Sequence, residues 1–136
     1  MSFLVDLKVN TFTKTKIMNV SDIMISPVVV TQNNKSLKHV RDLIERKKIN
    51  AIPVLSMEGE IEGIITASDI AQESDHTKTV SEVMTTKSYV ISKNSGVQDA
   101  AKMMRKHDVH HLVVMDEGQV IGILSAMDFV KLVAKG

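Results

Sequence analysis

Apolar positions along the chain change period in a fixed order, and that order occurs twice. Residues 28–31 and 89–92 are β-branched or aromatic runs that end near the turn-forming Asn34 and Asn94, which predicts strands. Leu37, Val40, Leu43 and Ile44, then Val97, Ala100, Ala101 and Met104, recur at helical spacing and predict helices over residues 36–47 and 96–106. Each helix is followed by two apolar runs around a Gly-containing turn, "AIPVLSMEGEIEGIIT" and "HLVVMDEGQVIGILS", the pattern of a β-hairpin. A last helix follows each hairpin, over residues 67–72 and 126–134. Short helical turns at residues 20–24 and 80–84 precede the strands, the second opened by Thr79 with Glu82 three positions on, as in a capping box. Alternation at Phe3, Val5, Leu7 and Val9 suggests one more strand near the start.

The two series are copies of one unit. Pairing Val20 with Val80 aligns Ser21 with Ser81, Met24 with Met84, Val30 with Val90 and Asn34 with Asn94. Past the hairpin turn the offset drops by one, and Gly63 pairs with Gly122, Ile64 with Ile123, Ala67 with Ala126 and Asp69 with Asp128. The single length change falls in a turn, where a surface loop tolerates it. The expected organisation is an extension over residues 1–16, a first unit over 17–72, a polar link over 73–78 and a second unit over 79–136.

Composition narrows the function classes. The 136 residues can form one compact body, burying about 68% of the surface an unfolded chain exposes. A formal charge of +1 gives no general grip on nucleic acid or an anionic membrane. Cysteine is absent, which removes disulfides, thiolate catalysis and cysteine-ligated zinc. Apolar runs are strand-sized, far below the about 20 residues of a membrane-spanning helix. With no secretion signal at the start, a cytoplasmic place of action is expected.

The doubled order β-α-β-β-α, with "MISPVVV", "AIPVL" and "GIITASDI" in one copy and "MTTKSYV", "HLVVM" and "GILSAMDF" in the other, resembles a tandem pair of CBS domains, named after cystathionine β-synthase. The resemblance covers residues 17–134 and rests most on Gly63, Ile64, Ile65, Thr66 and Asp69, repeated as Gly122, Ile123, Leu124, Ser125 and Asp128. It implies an α/β (α+β) fold of two units related by a pseudo-two-fold axis, their sheets packed together, standing alone as a small protein. It also implies two clefts for an adenosine-containing ligand such as AMP, ADP, ATP or S-adenosylmethionine, as regulatory ligand and not as cofactor. No catalysis is expected from the residues, because a triad of Ser125, His111 and Asp128 would lack a nucleophile elbow and Asp128 stands where it would cap a helix or bind ribose. On this resemblance Asp69 and Asp128 bind ribose, Thr66 and Ser125 bind ribose or phosphate oxygens, and basic residues before the second strand meet phosphate. Such pairs form homodimers and regulate a separate enzyme, channel or transporter.

The residues themselves leave alternatives open. A carboxylate suits a vicinal diol, yet Thr66 with Asp69 and Ser125 with Asp128 also match capping boxes. The adenine slots would come from Ile25, Pro27 and Val28 with Ile52 and Pro53, and from Thr85, Ser88, Leu112 and Val113; in any sheet protein such residues also build core. Glycine within a strand marks close approach of a ligand or of another backbone, or a bulge. His110 and His111 stand where Asn50 and Ala51 stand in the first copy, so the clefts should be unequal, with the histidines and Arg105 or Lys106 serving a charged tail. His107, His110 and His111 have a spacing that could suggest metal, but the strand starting near His110 breaks the helical face, and no metal site is expected. The last helix spreads Phe129, Val130, Leu132 and Val133 over more than one face, which favours a homodimer through this helix. Two rival readings are a structural dimerisation module with empty clefts and, from the "RKK" run at residues 46–48, a nucleic-acid accessory; a solvated helix end explains that run more simply.

Overall fold

The computed structural model describes residues 18–135. The extension over residues 1–16, with its alternating Phe3 to Val9, lies outside them. The first unit contains α1 (Val20–Ile23), β1 (Thr31–Gln32), α2 (Leu37–Lys47), β2 (Ala51–Leu55), β3 (Ile61–Thr66) and α3 (Ala67–Ala71). The second contains α4 (Val80–Val83), β4 (Val90–Ser92), α5 (Val97–His107), β5 (His111–Asp116), β6 (Gln119–Ser125) and α6 (Ala126–Lys135).

Each unit is a three-stranded sheet in which the first strand pairs parallel to the second and the second antiparallel to the third. The parallel pairs need crossovers, and α2 and α5 supply them. Ser36 caps α2 by accepting the His39 N–H at 3.1 Å. Lys48 and Asp108 end α2 and α5 in the left-handed region, at φ 56° and 53°. The helix ends fall within one residue of the sequence expectation. The strand expected over residues 28–31 is shorter and later: the ladder starts at Thr31, opposite Val54. The β-branched run suggested strand, but Val30 is exposed and Val28–Val30 have no neighbouring ladder.

Three apolar clusters hold the fold. One packs Leu37, Val40 and Ile44 of α2 on Ile52, Val54 and Ile65 of the first sheet. Another packs Ala100 and Met104 of α5 on Leu112, Val114 and Leu124 of the second. The third joins the two sheets through Ala51, Ile64, Val113 and Ile123.

The short helices are exchanged between units, a feature the duplicated pattern does not reveal. Val80, fully buried, belongs to the core of the first unit, and Val20, equally buried, to that of the second. Backbone bonds follow the same exchange: Val80 N–H donates to the Lys35 carbonyl at 2.7 Å, and Val20 N–H to the Ser95 carbonyl at 2.8 Å. The segment preceding each short helix also supplies acceptors at the N-terminus of the other unit's long helix. The first two N–H groups of α2, from Leu37 and Lys38, meet the carbonyls of Lys78 and His76, while Val97 of α5 meets that of Met18. The polar link over residues 73–78 is therefore a fixed part of the fold. Its His76 joins the Ile70 carbonyl through Nε2 at 3.1 Å and Arg41 Nη1 through Nδ1 at 3.0 Å.

Candidate functional site

Because the segment after each short helix continues along the other unit, it lies against that unit's third strand. Ile25 and Ile123 exchange backbone hydrogen bonds at 2.9 and 3.3 Å, and Thr85 and Ile64 at 2.9 and 3.0 Å. Gly63 and Gly122 make this approach possible. A Cβ at Gly63 would collide with the Thr85 carbonyl oxygen, and one at Gly122 would lie 2.6 Å from Met24 Sδ and 3.1 Å from the Ile25 oxygen. Of the readings open for these glycines, close approach of another backbone is the one observed, although β2 and β5 each carry a register irregularity beside the glycine's partner.

Two cavities result, each built from both units. The larger, about 670 Å³, lies between the segment holding Ile25, Pro27 and Val29 and the β6–α6 junction with Ser125 and Asp128. The smaller, about 520 Å³, lies between Thr85, Lys87 and Ser88 and the β3–α3 junction with Thr66. Both volumes fall in the range of about 300–1,000 Å³ common for small-molecule sites. Asn50, His110 and His111 line both cavities and form their shared wall.

The carboxylates serve the helix starts while leaving an oxygen uncommitted. Asp69 Oδ2 accepts the Thr66 N–H at 2.9 Å, and Thr66 Oγ1 accepts the Asp69 N–H at 3.1 Å, a complete reciprocal cap. Asp128 Oδ2 accepts the Ser125 N–H at 2.7 Å and the Ser125 hydroxyl at 3.1 Å. Neither Oδ1 accepts a hydrogen bond among the described residues. Asp128 is buried, only 8% exposed, yet borders the larger cavity; Asp69, expected to bind ribose, is half-buried and, unlike Thr66, lines neither cavity. His111 is held below the usual histidine pKa of 6.5, chiefly by burial and then by the neighbouring His110, with Asp128 and Asp69 opposing.

Several expected slot residues lie elsewhere. Ile52, Pro53, Leu112 and Val113 are fully buried and line neither cavity: Ile52 and Leu112 face cores filled by helix side chains, and Val113 faces the opposite sheet. Val29, not Val28, faces the larger cavity. Arg105 and Lys106 are exposed in the last turn of α5 and line neither cavity. His107 stacks on Tyr89 with ring centroids 4.1 Å apart. Among the described residues no three potential metal ligands cluster, and no helix is long and apolar enough to cross a membrane. The sequence reading missed Lys47, Lys48 and Lys131, all bordering the larger cavity. The first two belong to the "RKK" run, which was visible but read as a solvated helix end.

A duplicated chain whose halves complete each other's clefts defines a pseudo-symmetric tandem module of two β-α-β-β-α units. The family model described as CBS domain matches residues 20–76 and again 80–135, and the chain belongs to that family. The CBS domain-containing protein YhcV of Bacillus subtilis is 30% identical over 115 residues, 81% of each chain. Inosine-5'-monophosphate dehydrogenase of Mycobacterium tuberculosis is 34% identical over 111 residues, 79% of this chain but only 21% of the enzyme. The CBS domain pair of protein MJ0100, solved in complex with 5'-methylthioadenosine and S-adenosyl-L-methionine, superposes with a TM-score of 0.80 at 28% identity, over 88% of this chain and 98% of that one.

Proposed function

We propose that this chain is a regulatory module whose clefts bind an adenosine-containing ligand, AMP, ADP, ATP or S-adenosylmethionine, and that occupancy alters its contacts with a separate enzyme or transporter. The observation carrying this reading is Asp128: a buried carboxylate with one oxygen committed to the α6 cap, the other without a partner among the described residues, at the edge of a cavity of about 670 Å³. A vicinal diol matches such an acceptor through charge-assisted bonds. Ile25, Pro27 and Ile123 give the same cavity apolar walls for a purine. The MJ0100 pair, which binds adenosyl compounds, supports the ligand class. Regulation requires that ligand bind two states unequally, and a cleft whose walls come from both units offers this, since any change in their spacing alters the site. The apolar stripe Met127, Val130 and Val133 on α6 is exposed and serves homodimer formation.

Calorimetric titration of the whole chain with each of the four ligands tests the proposal. Binding by at least one, with the site at Asp128 lost in Asp128→Ala and a rise in melting temperature in the native chain, is the expected result. No heat and no melting shift with any of them at millimolar concentration would refute it.

A further inference from the structure

The duplication supplies an internal control, because each position around one cavity has a sequence counterpart in the other copy. Lys47 and Lys48, at the end of α2, and Lys131, one helical turn beyond Asp128 on α6, border the larger cavity. Their counterparts are His107, Asp108 and Gln72, none of which lines the smaller cavity. One exchange runs the other way: Lys87 borders the smaller cavity where Pro27 borders the larger. Among the described residues the larger cavity thus has three lysines around one buried carboxylate, and the smaller has a single lysine.

Cations do favour the end of a helix, which accounts in part for Lys47. The same holds for Lys48, the C-cap of that helix, but not for Lys131, which sits in the middle of α6. None of the three forms an ion pair among the described residues, whose salt bridges are Arg41 with Asp42, Lys78 with Glu73 and Lys93 with Asp116. Gathering like charges around a concave surface is repulsive until an anion enters, and low-dielectric walls focus the field they create.

Resting on the proposed adenosine reading, we infer that the two clefts differ in the tail they accept: the cleft at Asp128 selects a nucleoside polyphosphate through Lys47, Lys48 and Lys131, whereas the cleft at Thr66 takes an adenosyl compound without a polyphosphate tail. This reverses the expectation from the sequence, in which the histidine pair of the second copy marked the anionic site. His110 and His111 face both cavities and cannot distinguish them. The difference in volume, about 670 against 520 Å³, agrees with the larger ligand in the more cationic cleft.

The test uses the whole chain, adenosine and ATP, and two charge-matched triple variants. Lys47→Gln with Lys48→Gln and Lys131→Gln removes the cluster; Lys102→Gln with Arg105→Gln and Lys106→Gln removes equal charge from the exposed face of α5, away from both cavities. All six side chains are exposed, so both variants should melt close to the native chain. The first should lose roughly tenfold or more in ATP affinity, the scale of one charge-assisted contact, with adenosine affinity kept within about twofold. The second should hold ATP within about twofold, because screening separates distant exposed charges. Equal ATP affinity in the first variant and the native chain, or an equal loss in both variants, overturns the charge assignment while leaving the adenosine reading intact. A native chain that binds neither adenosine nor ATP overturns this inference; only if AMP, ADP and S-adenosylmethionine also fail to bind does the adenosine reading fall with it.

Discussion

Replacing Gly63 or Gly122 by alanine makes the same chemical change at two duplicated positions, and the structure gives the two substitutions different costs. At Gly63 the new methyl would collide with the Thr85 carbonyl oxygen, with Met84 Sδ at 3.1 Å and the Thr85 carbonyl carbon at 3.3 Å. The obstacle is backbone, pinned by its exchange of hydrogen bonds with Ile64, so relief means opening that bridge. Two backbone hydrogen bonds are worth about 1 kcal/mol each, and overpacking adds about 1 kcal/mol or more. Alanine returns about 0.4–1 kcal/mol by restricting the unfolded chain, which leaves a net loss near 2 kcal/mol. At Gly122 the nearest atom is Met24 Sδ, at 2.6 Å in a flexible side chain that can rotate away, and the Ile25 oxygen stands at 3.1 Å. The loss there should stay below about 1 kcal/mol. Urea denaturation of both variants reads the difference directly, and the gap should appear as roughly 3–6 °C in melting temperature. Equal losses, or a larger one at Gly122, would refute the argument that the rigidity of the opposing atom decides the cost.

Other outcomes follow from the same geometry. Asp128→Asn keeps an oxygen for the Ser125 N–H and should change stability little, whereas Asp128→Ala loses the cap and should cost about 1 kcal/mol by denaturant titration; both should lose ligand binding at the cleft that Asp128 borders. Val80→Ala should destabilise the first unit's core by roughly 2 kcal/mol although Val80 lies in the second copy, and a cost near zero would contradict the exchange of helices. His111 has its pKa lowered by folding, so it favours the neutral form in the native state. Its contribution is therefore complete above the unfolded value near 6.5 and is lost as pH falls from there through the lowered folded value; His111→Asn should flatten that part of the stability profile. Val130→Glu with Val133→Glu should yield monomers in sedimentation velocity while leaving the melting transition of the monomer unchanged, because both side chains are exposed, Val133 at 75%.

Element order and duplication were legible because they are local: helical spacing from Leu37 to Ile44, a Gly turn between apolar runs, and Asp three residues after Thr66 or Ser125 each act within a few residues of themselves. The hairpins and helix caps follow from those signals alone, as does the pairing of like positions between copies. What only the tertiary structure decided is which unit each short helix serves. Val20 and Val80 occupy equivalent positions, so packing at home and packing on the other half give the same pattern of apolar residues. The sequence is degenerate between the two arrangements. The exchange in turn decided that each cleft takes one wall from either unit, brought Lys47 and Lys48 to the cavity that Asp128 borders, and completed the cores that hold Ile52 and Leu112. Ile52 and Pro53, and Leu112 and Val113, are consecutive and all fully buried, so an apolar run specifies that both faces of a strand are covered but not by what; the covering surface is a long-range choice, fixed only when the two halves dock.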